Sequence, residues 1–119
     1  MNDSYKMVDI EELYGYAWMK PEETGVNADM FVDDGGAYLR DNHVPLVFVR
    51  NGYGRNVLEF IPISVSDNPQ ILDNDISINL NKNVIETIFE FIKVNKDSLM
   101  LFADREINIH EFYNLIQKK

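Results

Sequence analysis

The amino-acid sequence predicts an α+β fold: an antiparallel meander of four or five strands, followed by two or three C-terminal helices packed on one face of the sheet. Three observations carry this prediction. Apolar residues recur at every second position in the first half, glycine-rich turn signals separate these runs, and the apolar period lengthens to 3.6 residues after about residue 82. Strands therefore precede helices along the chain, as is typical of α+β domains.

The clearest strand is predicted at residues 26–33. Its apolar members are expected to face the core and its intervening members the solvent: Val26, Ala28, Met30 and Val32 against Asn27, Asp29, Phe31 and Asp33. An Asp-Gly turn signal follows directly and predicts a hairpin with a returning strand at residues 37–40.

Three further strands are predicted before the helices. Residues 45–50 are apolar enough for a central strand, and the two glycines at positions 52 and 54 indicate a hairpin connection. Residues 57–65 form the fourth strand, in which Pro62 cannot donate a ladder hydrogen bond and therefore predicts an edge or a bulge. Alternation at residues 76–80 predicts a short fifth strand.

The C-terminal third has helical periodicity. A capping-box-like start at Asn83 and Glu86 predicts one helix, whose apolar face comprises Ile85, Ile88, Phe89 and Ile92. A break is expected at residues 95–98, and a second helix at residues 99–103. Asn108 with Glu111 predicts the cap of a last helix, with Ile109, Phe112, Tyr113 and Ile116 on its apolar face.

The N-terminal segment allows two interpretations. Asp9 with Glu12 could cap a short helix, whereas the aromatic run at residues 13–18 favours a strand. Residues 20–25 are predicted to be a connection, because Pro21 stops regular structure and Gly25 permits a sharp turn.

Length and composition predict one domain over residues 1–119, divided into an N-terminal segment (1–20), a β-meander (26–80) and a helical part (83–117). The chain is 45% apolar and 26% charged, as in ordinary globular proteins. It contains no cysteine, which excludes disulfides, thiolate metal ligands and thiol nucleophiles. Without a signal-peptide pattern or a long apolar run, the expected location is the cytoplasm and no membrane partner is expected.

The formal net charge is −9, and its distribution is uneven. Residues 1–34 hold nine acidic and two basic residues, a net of −7, whereas residues 35–58 are locally positive. Such a field repels phosphates at long range, so nucleic acid is not expected as a partner.

Four stretches carry a family resemblance. They are residues 20–25 leading into residues 31–37, residues 61–69 and the tail pattern at residues 91–99. Together they resemble a family of small uncharacterised bacterial proteins, over about residue 20 to the C-terminus. The resemblance implies a bacterial, cytoplasmic setting and a compact single domain, and it implies no activity.

The strongest catalytic candidate is a metal site. Asp33, Asp34, Asp41 and His43 lie in one short hairpin, where two carboxylates and an imidazole could hold Mg²⁺ or Mn²⁺ and activate water. This alternative makes the protein a metal-dependent hydrolase. The alternative is a purely structural role, in which these residues belong to the turn and keep a strand edge soluble, and it requires no cofactor.

The leading hypothesis is a non-enzymatic bacterial accessory domain that binds another protein. This hypothesis includes self-association, in which the partner is a second copy of the same chain. Tyr14, Tyr16 and Trp18 occupy alternate positions and would share one face of a strand, either within the core or exposed at an interface. The locally basic middle adds further candidate contacts: Arg40, Arg50, Tyr53 and Arg55. A further alternative is that the acidic surface mimics nucleic acid.

Overall fold

The computed structural model describes residues 17–32, 45–53, 57, 59–73 and 75–117. Within these ranges four strands form one antiparallel sheet in sequence order: β1 (Ala17–Met19), β2 (Met30–Val32), β3 (Leu46–Arg50) and β4 (Phe60–Ser64). A one-turn helix connects the first two strands and three helices follow the sheet: α1 (Pro21–Thr24), α2 (Lys82–Val94), α3 (Lys96–Ala103) and α4 (Ile109–Leu115). The predicted α+β class, an antiparallel meander followed by C-terminal helices, is confirmed.

The main core lies between one face of the sheet and the three C-terminal helices. The sheet contributes alternate residues, and the helices add their fully buried side chains: Met19, Met30, Val32, Val47, Val49, Ile61 and Ile63 against Ile88, Phe91, Ile92, Leu99 and Phe112. The Phe102 and Phe112 rings stack with centroids 4.8 Å apart and join α3 to α4. The four alternating residues predicted at positions 26–32 all belong to this core.

The other face of the sheet is also apolar, which corrects the prediction of a solvent-facing side. Phe31, assigned to solvent from its alternation, is only 7% exposed. It belongs to a second buried cluster with Leu46, Phe48 and Phe60. The register explains this burial, because Phe31 lies directly opposite both Trp18 on β1 and Phe48 on β3. Cross-strand aromatic pairs stabilise a sheet face and exclude water from it.

Two predicted strands are shorter than expected, since the strand predicted at residues 57–65 spans only Phe60–Ser64 and the one at residues 26–33 is also reduced, and a third is absent. Strand β2 begins only at Met30, because the N–H of Ala28 donates to the carbonyl of Val26 in a tight turn. Residues 76–80 form no strand, which corrects the predicted fifth strand. Their main chain is held by a side chain instead: buried Asn51 accepts from the N–H of Asn79 at 2.7 Å and donates to the carbonyl of Ser77 at 2.7 Å.

Pro62 lies on the edge strand β4, as its missing N–H predicted. Its carbonyl accepts from the N–H of Leu72, and the N–H of Ser64 donates to the carbonyl of Gln70. These groups point away from β3, so the proline nitrogen faces the outer side of the sheet and breaks no ladder bond with β3. Residues 70–72 partly cover this edge.

The helical part begins and divides slightly differently from the prediction. The N-cap of α2 is Asn81, two residues before the predicted cap at Asn83. The predicted break at residues 95–98 is reduced to Asn95, which lies between α2 and α3. Buried Asn95 also holds the end of the chain, because its Oδ1 accepts from the N–H of Gln117 at 2.6 Å and its Nδ2 donates to the carbonyl of Gln117 at 3.1 Å.

The predicted cap of the last helix is confirmed. Asn108 Oδ1 accepts from the N–H of Glu111 at 2.9 Å, and the Glu111 carboxylate accepts from the N–H of Asn108 at 3.0 Å. The interpretations at residues 1–16 and the returning strand at residues 37–40 lie outside the described residues. In the part of the chain that the structure describes, no helix is long and apolar enough to cross a membrane.

Candidate functional site

Trp18 is an exposed aromatic side chain at the edge of the sheet. Strand β1 is an outer strand, and the indole projects from the face opposite the three C-terminal helices, where 37% of the residue remains accessible. Both flanking residues, Ala17 and Met19, point to the opposite face and are buried in the main core. The pleat of the strand therefore presents Trp18 outward while its neighbours anchor the strand.

The exposed indole is held in place from several directions. Its ring stacks on Phe31 with centroids 6.0 Å apart and 13° between the planes, and its Nε1 donates to Asp29 Oδ1 at 3.3 Å. The Lys20 ammonium lies 4.8 Å from the ring centroid. The main-chain carbonyl of Trp18 accepts a 2.9 Å hydrogen bond from the Tyr113 hydroxyl on α4. Trp18 is thus exposed but positionally restrained.

Asp29 links Trp18 to the buried Arg50. The Nε of Arg50 donates to Asp29 Oδ2 at 3.2 Å, and its Nη1 donates to the carbonyl of Val57 at 2.6 Å. The guanidinium lies 5.3 Å from the ring centroid of Phe60, which in turn meets Phe31 edge to face at 5.7 Å. Trp18, Phe31, Phe60, Arg50 and Asp29 therefore form a closed circuit of side-chain contacts.

A cleft of about 220 Å³ lies beside this circuit. Its lining comes from the first residue of α1, from the turn before β2 and from the loop after β3: Pro21, Asn27, Ala28, Asp29, Gly52 and Tyr53. Tyr53 is 53% exposed at its rim. Gly52 has φ of +149°, and a Cβ there would lie 3.1 Å from a Val57 methyl, so this loop conformation requires glycine. Trp18, Lys20, Asp29 and Tyr53, together with this cleft, are called the Trp18 surface below.

The predicted partner-binding residues fall into three groups. Trp18 and Tyr53 are exposed and are connected through Asp29, which accepts from the Trp18 indole and lines the same cleft as Tyr53. Arg50, considered as a surface contact from its sequence, is instead 6% exposed with its guanidinium engaged by Asp29 and Val57, so it supports the site from within. The remaining candidates lie outside the described residues: Tyr14, Tyr16, Arg40 and Arg55.

The predicted metal ligands also lie outside the described residues: Asp33, Asp34, Asp41 and His43. Across residues 17–32, 45–53, 57, 59–73 and 75–117, no group of three or more carboxylate or imidazole side chains could hold a metal ion. The metal-dependent hydrolase therefore stays a prediction from the sequence.

Three residues of the site were missed by sequence reasoning. Lys20 follows Trp18 by two positions, and that spacing on a strand places side chains on one face, which was a usable signal. Asp29 had been assigned only to a polar strand face. Tyr113 is 95 residues from Trp18, and no local pattern connects them. Burial, and secondly the charge of nearby Glu23, raise the pKa of Tyr113 and so favour the protonated hydroxyl that donates this bond.

A second concavity lies along α2 and differs in character. It encloses about 430 Å³ and is lined by polar side chains: Asn83, Glu86, Thr87 and Glu90. These residues offer no apolar anchor of the kind that concentrates binding energy in interfaces. Carboxylates of the described residues occur on α1 and on each C-terminal helix, with lysines among them on α2 and α3. The nucleic-acid mimic stays a prediction from the sequence.

No protein-family model, no curated protein and no solved structure matches this chain.

Proposed function

We propose that this protein is a non-enzymatic interaction domain that binds another protein through the Trp18 surface. The observation that carries the proposal is an exposed indole, 37% accessible, that is already held by stacking on Phe31 and by a hydrogen bond to Asp29. Tryptophan is enriched among the few residues that dominate binding energy in protein interfaces.

Restraint of Trp18 before binding favours this role. A partner that covers a freely rotating side chain must also offset the loss of its rotamer freedom. Here Phe31 and Asp29 already limit the indole, so little freedom remains to be lost on binding. In preorganised complexes, the backbone at the interface usually moves little between the free and the bound protein.

The cleft beside Trp18 gives the Trp18 surface a concave region. It lies between Pro21 and Tyr53 and has room for a side chain of the partner. Protein interfaces are enriched in aromatic residues at their centre and have a polar rim, and the Trp18 surface combines both features.

The proposed setting is the bacterial cytoplasm, a compartment compatible with a chain that contains no cysteine. The proposed partner is a second protein, with self-association as one form of the same binding. The net charge of −9 favours a partner that is not itself strongly acidic.

The experiment compares capture of partners by the wild-type chain, by Trp18→Ala and by Leu115→Ala. Leu115 is the control because it is an exposed apolar side chain on α4 and lies about 200° around that helix from Tyr113, the residue that contacts Trp18. We expect a stoichiometric partner, or a concentration-dependent dimer in sedimentation, that Trp18→Ala abolishes and Leu115→Ala keeps. Thermal melting verifies that both variants fold.

Two outcomes contradict the proposal. One is a partner that a folded Trp18→Ala variant retains at wild-type strength. The other is a wild-type chain that captures nothing from its source cytoplasm and stays monomeric up to millimolar concentration.

A further inference from the structure

We infer that the Trp18 surface accepts a positively charged side chain of its partner, and an arginine in particular, at the position where the Lys20 ammonium now lies. This inference rests on the proposed function and specifies the chemistry of the partner. The intramolecular contact marks the position: Lys20 Nζ lies 4.8 Å from the centre of the indole ring. Lys20 therefore occupies the cation site of the indole in the unbound protein.

The Lys20 contact is easily exchanged. Lys20 is exposed, and among the described residues its ammonium forms no ion pair with a carboxylate. A cation–π contact at an exposed site is a weak interaction, and tryptophan is the strongest of the aromatic acceptors. An incoming cation can thus replace the lysine while Phe31 and Asp29 continue to hold the ring.

Arginine fits this position better than lysine. Its guanidinium is planar and stacks on aromatic rings, whereas the lysine ammonium is a compact, strongly hydrated charge. The protein already contains one such contact, because the Arg50 guanidinium lies 5.3 Å from the ring centroid of Phe60 on the same face of the sheet.

The charge around Trp18 favours a cationic partner. The described stretch in which Trp18 lies, residues 17–32, holds three acidic residues and one basic residue, Lys20. Two of these acids, Glu22 and Glu23, lie in α1, one turn after Lys20. This field attracts arginine-bearing segments and repels phosphate-bearing ones.

Intrinsic fluorescence provides a direct test, because Trp18 is the only tryptophan of the chain. The probe is hexa-arginine, and hexalysine and hexaglutamate serve as comparison peptides. We expect a saturable change of Trp18 emission with hexa-arginine, weaker binding of hexalysine and no response to hexaglutamate.

The decisive comparison is between Lys20→Met and Lys93→Met. Each variant removes one positive charge, so the global attraction for the peptide changes equally, but only Lys20 contacts the indole. Because Lys20→Met removes the competing cation, we expect it to bind hexa-arginine about two- to fivefold more tightly than Lys93→Met does. Equal affinities of the two variants, or a linear response without saturation, would overturn the inference.

A labelled peptide and fluorescence anisotropy extend the test to variants without tryptophan. Trp18→Phe keeps an aromatic ring with a weaker attraction for cations and is expected to bind hexa-arginine less tightly than the wild type. Its failure to weaken binding also overturns the inference. If partner capture depends on Trp18 while Lys20→Met and the peptides change nothing, this inference fails and the proposed function stands.

Discussion

The hydroxyl of Tyr113, on the last helix, donates a 2.9 Å hydrogen bond to the main-chain carbonyl of Trp18, on the first described strand. The bond engages a main-chain acceptor of β1, the edge strand of the sheet. A side chain from α4 thereby satisfies an edge group that would otherwise be open to another strand. The bond also connects the helical part to the strand that presents Trp18.

Tyr113→Phe tests this connection. The variant keeps the ring and removes only the hydroxyl, so we expect a loss of about 1 kcal/mol in the free energy of unfolding, measured by urea denaturation. Tyr53→Phe is the matched control, because the Tyr53 hydroxyl accepts from the Asn81 N–H at 3.5 Å, the limit of a hydrogen bond, and should cost less than about 0.5 kcal/mol. Equal losses in the free energy of unfolding of the two variants would show that the Tyr113 hydrogen bond contributes no more to stability than the long Tyr53 contact.

Alkaline pH should reduce stability through the same tyrosine. Burial and then the charge of Glu23 raise the Tyr113 pKa above 10.0, while the hydrogen bond and charge of Asp67 raise the Lys96 pKa above 10.5. A group whose pKa is raised by folding stabilises the protein below its unfolded pKa, and this contribution is lost as pH rises through the folded value. We expect the urea concentration at the unfolding midpoint to decrease as the pH rises above about 10.

The alkaline loss should be smaller in Tyr113→Phe, which lacks the titrating hydroxyl, than in Tyr53→Phe. The tyrosinate absorbance of the two variants, recorded during the same pH titration, identifies which tyrosine ionises last. An identical alkaline loss in both variants would contradict the role assigned to Tyr113.

Arg50→Met should destabilise the protein although the methionine retains apolar packing. The change leaves the Asp29 carboxylate and the Val57 carbonyl without their buried donors. Because the Asp29 side chain is partly exposed, water offsets some of this loss, and we expect about 2–3 kcal/mol by urea denaturation.

Lys93→Met, at an exposed position of α2, is the control for Arg50→Met and should change stability by no more than about 0.5 kcal/mol. A comparably small effect of Arg50→Met would mean that Arg50 is free to contact a partner after all.

Asn95→Ala should be among the most damaging polar substitutions. Asn95 is buried between α2 and α3, and its amide holds the Phe91 carbonyl and both main-chain groups of Gln117. Loss of these bonds in a buried site predicts about 2–4 kcal/mol and faster hydrogen exchange at Gln117. Asn114→Ala, exposed on α4, should change stability by no more than about 0.5 kcal/mol.

The helix caps provide a paired prediction. Asn108 accepts a hydrogen bond from the N–H of Glu111, whereas the N-cap Asn81 makes no side-chain capping bond. Asn108→Ala should therefore cost about 1 kcal/mol and Asn81→Ala much less than that, as judged by thermal or urea unfolding. The reverse order would show that the two caps had been assigned wrongly.

Local patterns in the sequence determined much of the fold. The alternation around Met30 and Val32, the edge proline at position 62 and the change to a 3.6-residue period predicted the meander and the helices that follow it. The capping box at Asn108 was also predicted from the sequence. Each of these signals operates within a few residues, where strand and helix geometry fix which side chains share a face.

Tertiary structure alone decided how Asp29 and Tyr113 contact Trp18, and it alone decided the role of Arg50. Phe31 is buried because Phe48 and Phe60 lie on the same face of neighbouring strands, and Arg50 is buried because Asp29 and Val57 are brought to its guanidinium. The contact between Tyr113 and Trp18 joins segments that are 95 residues apart along the chain. Pairings between distant segments depend on strand register and helix docking, and a local period carries no information about either.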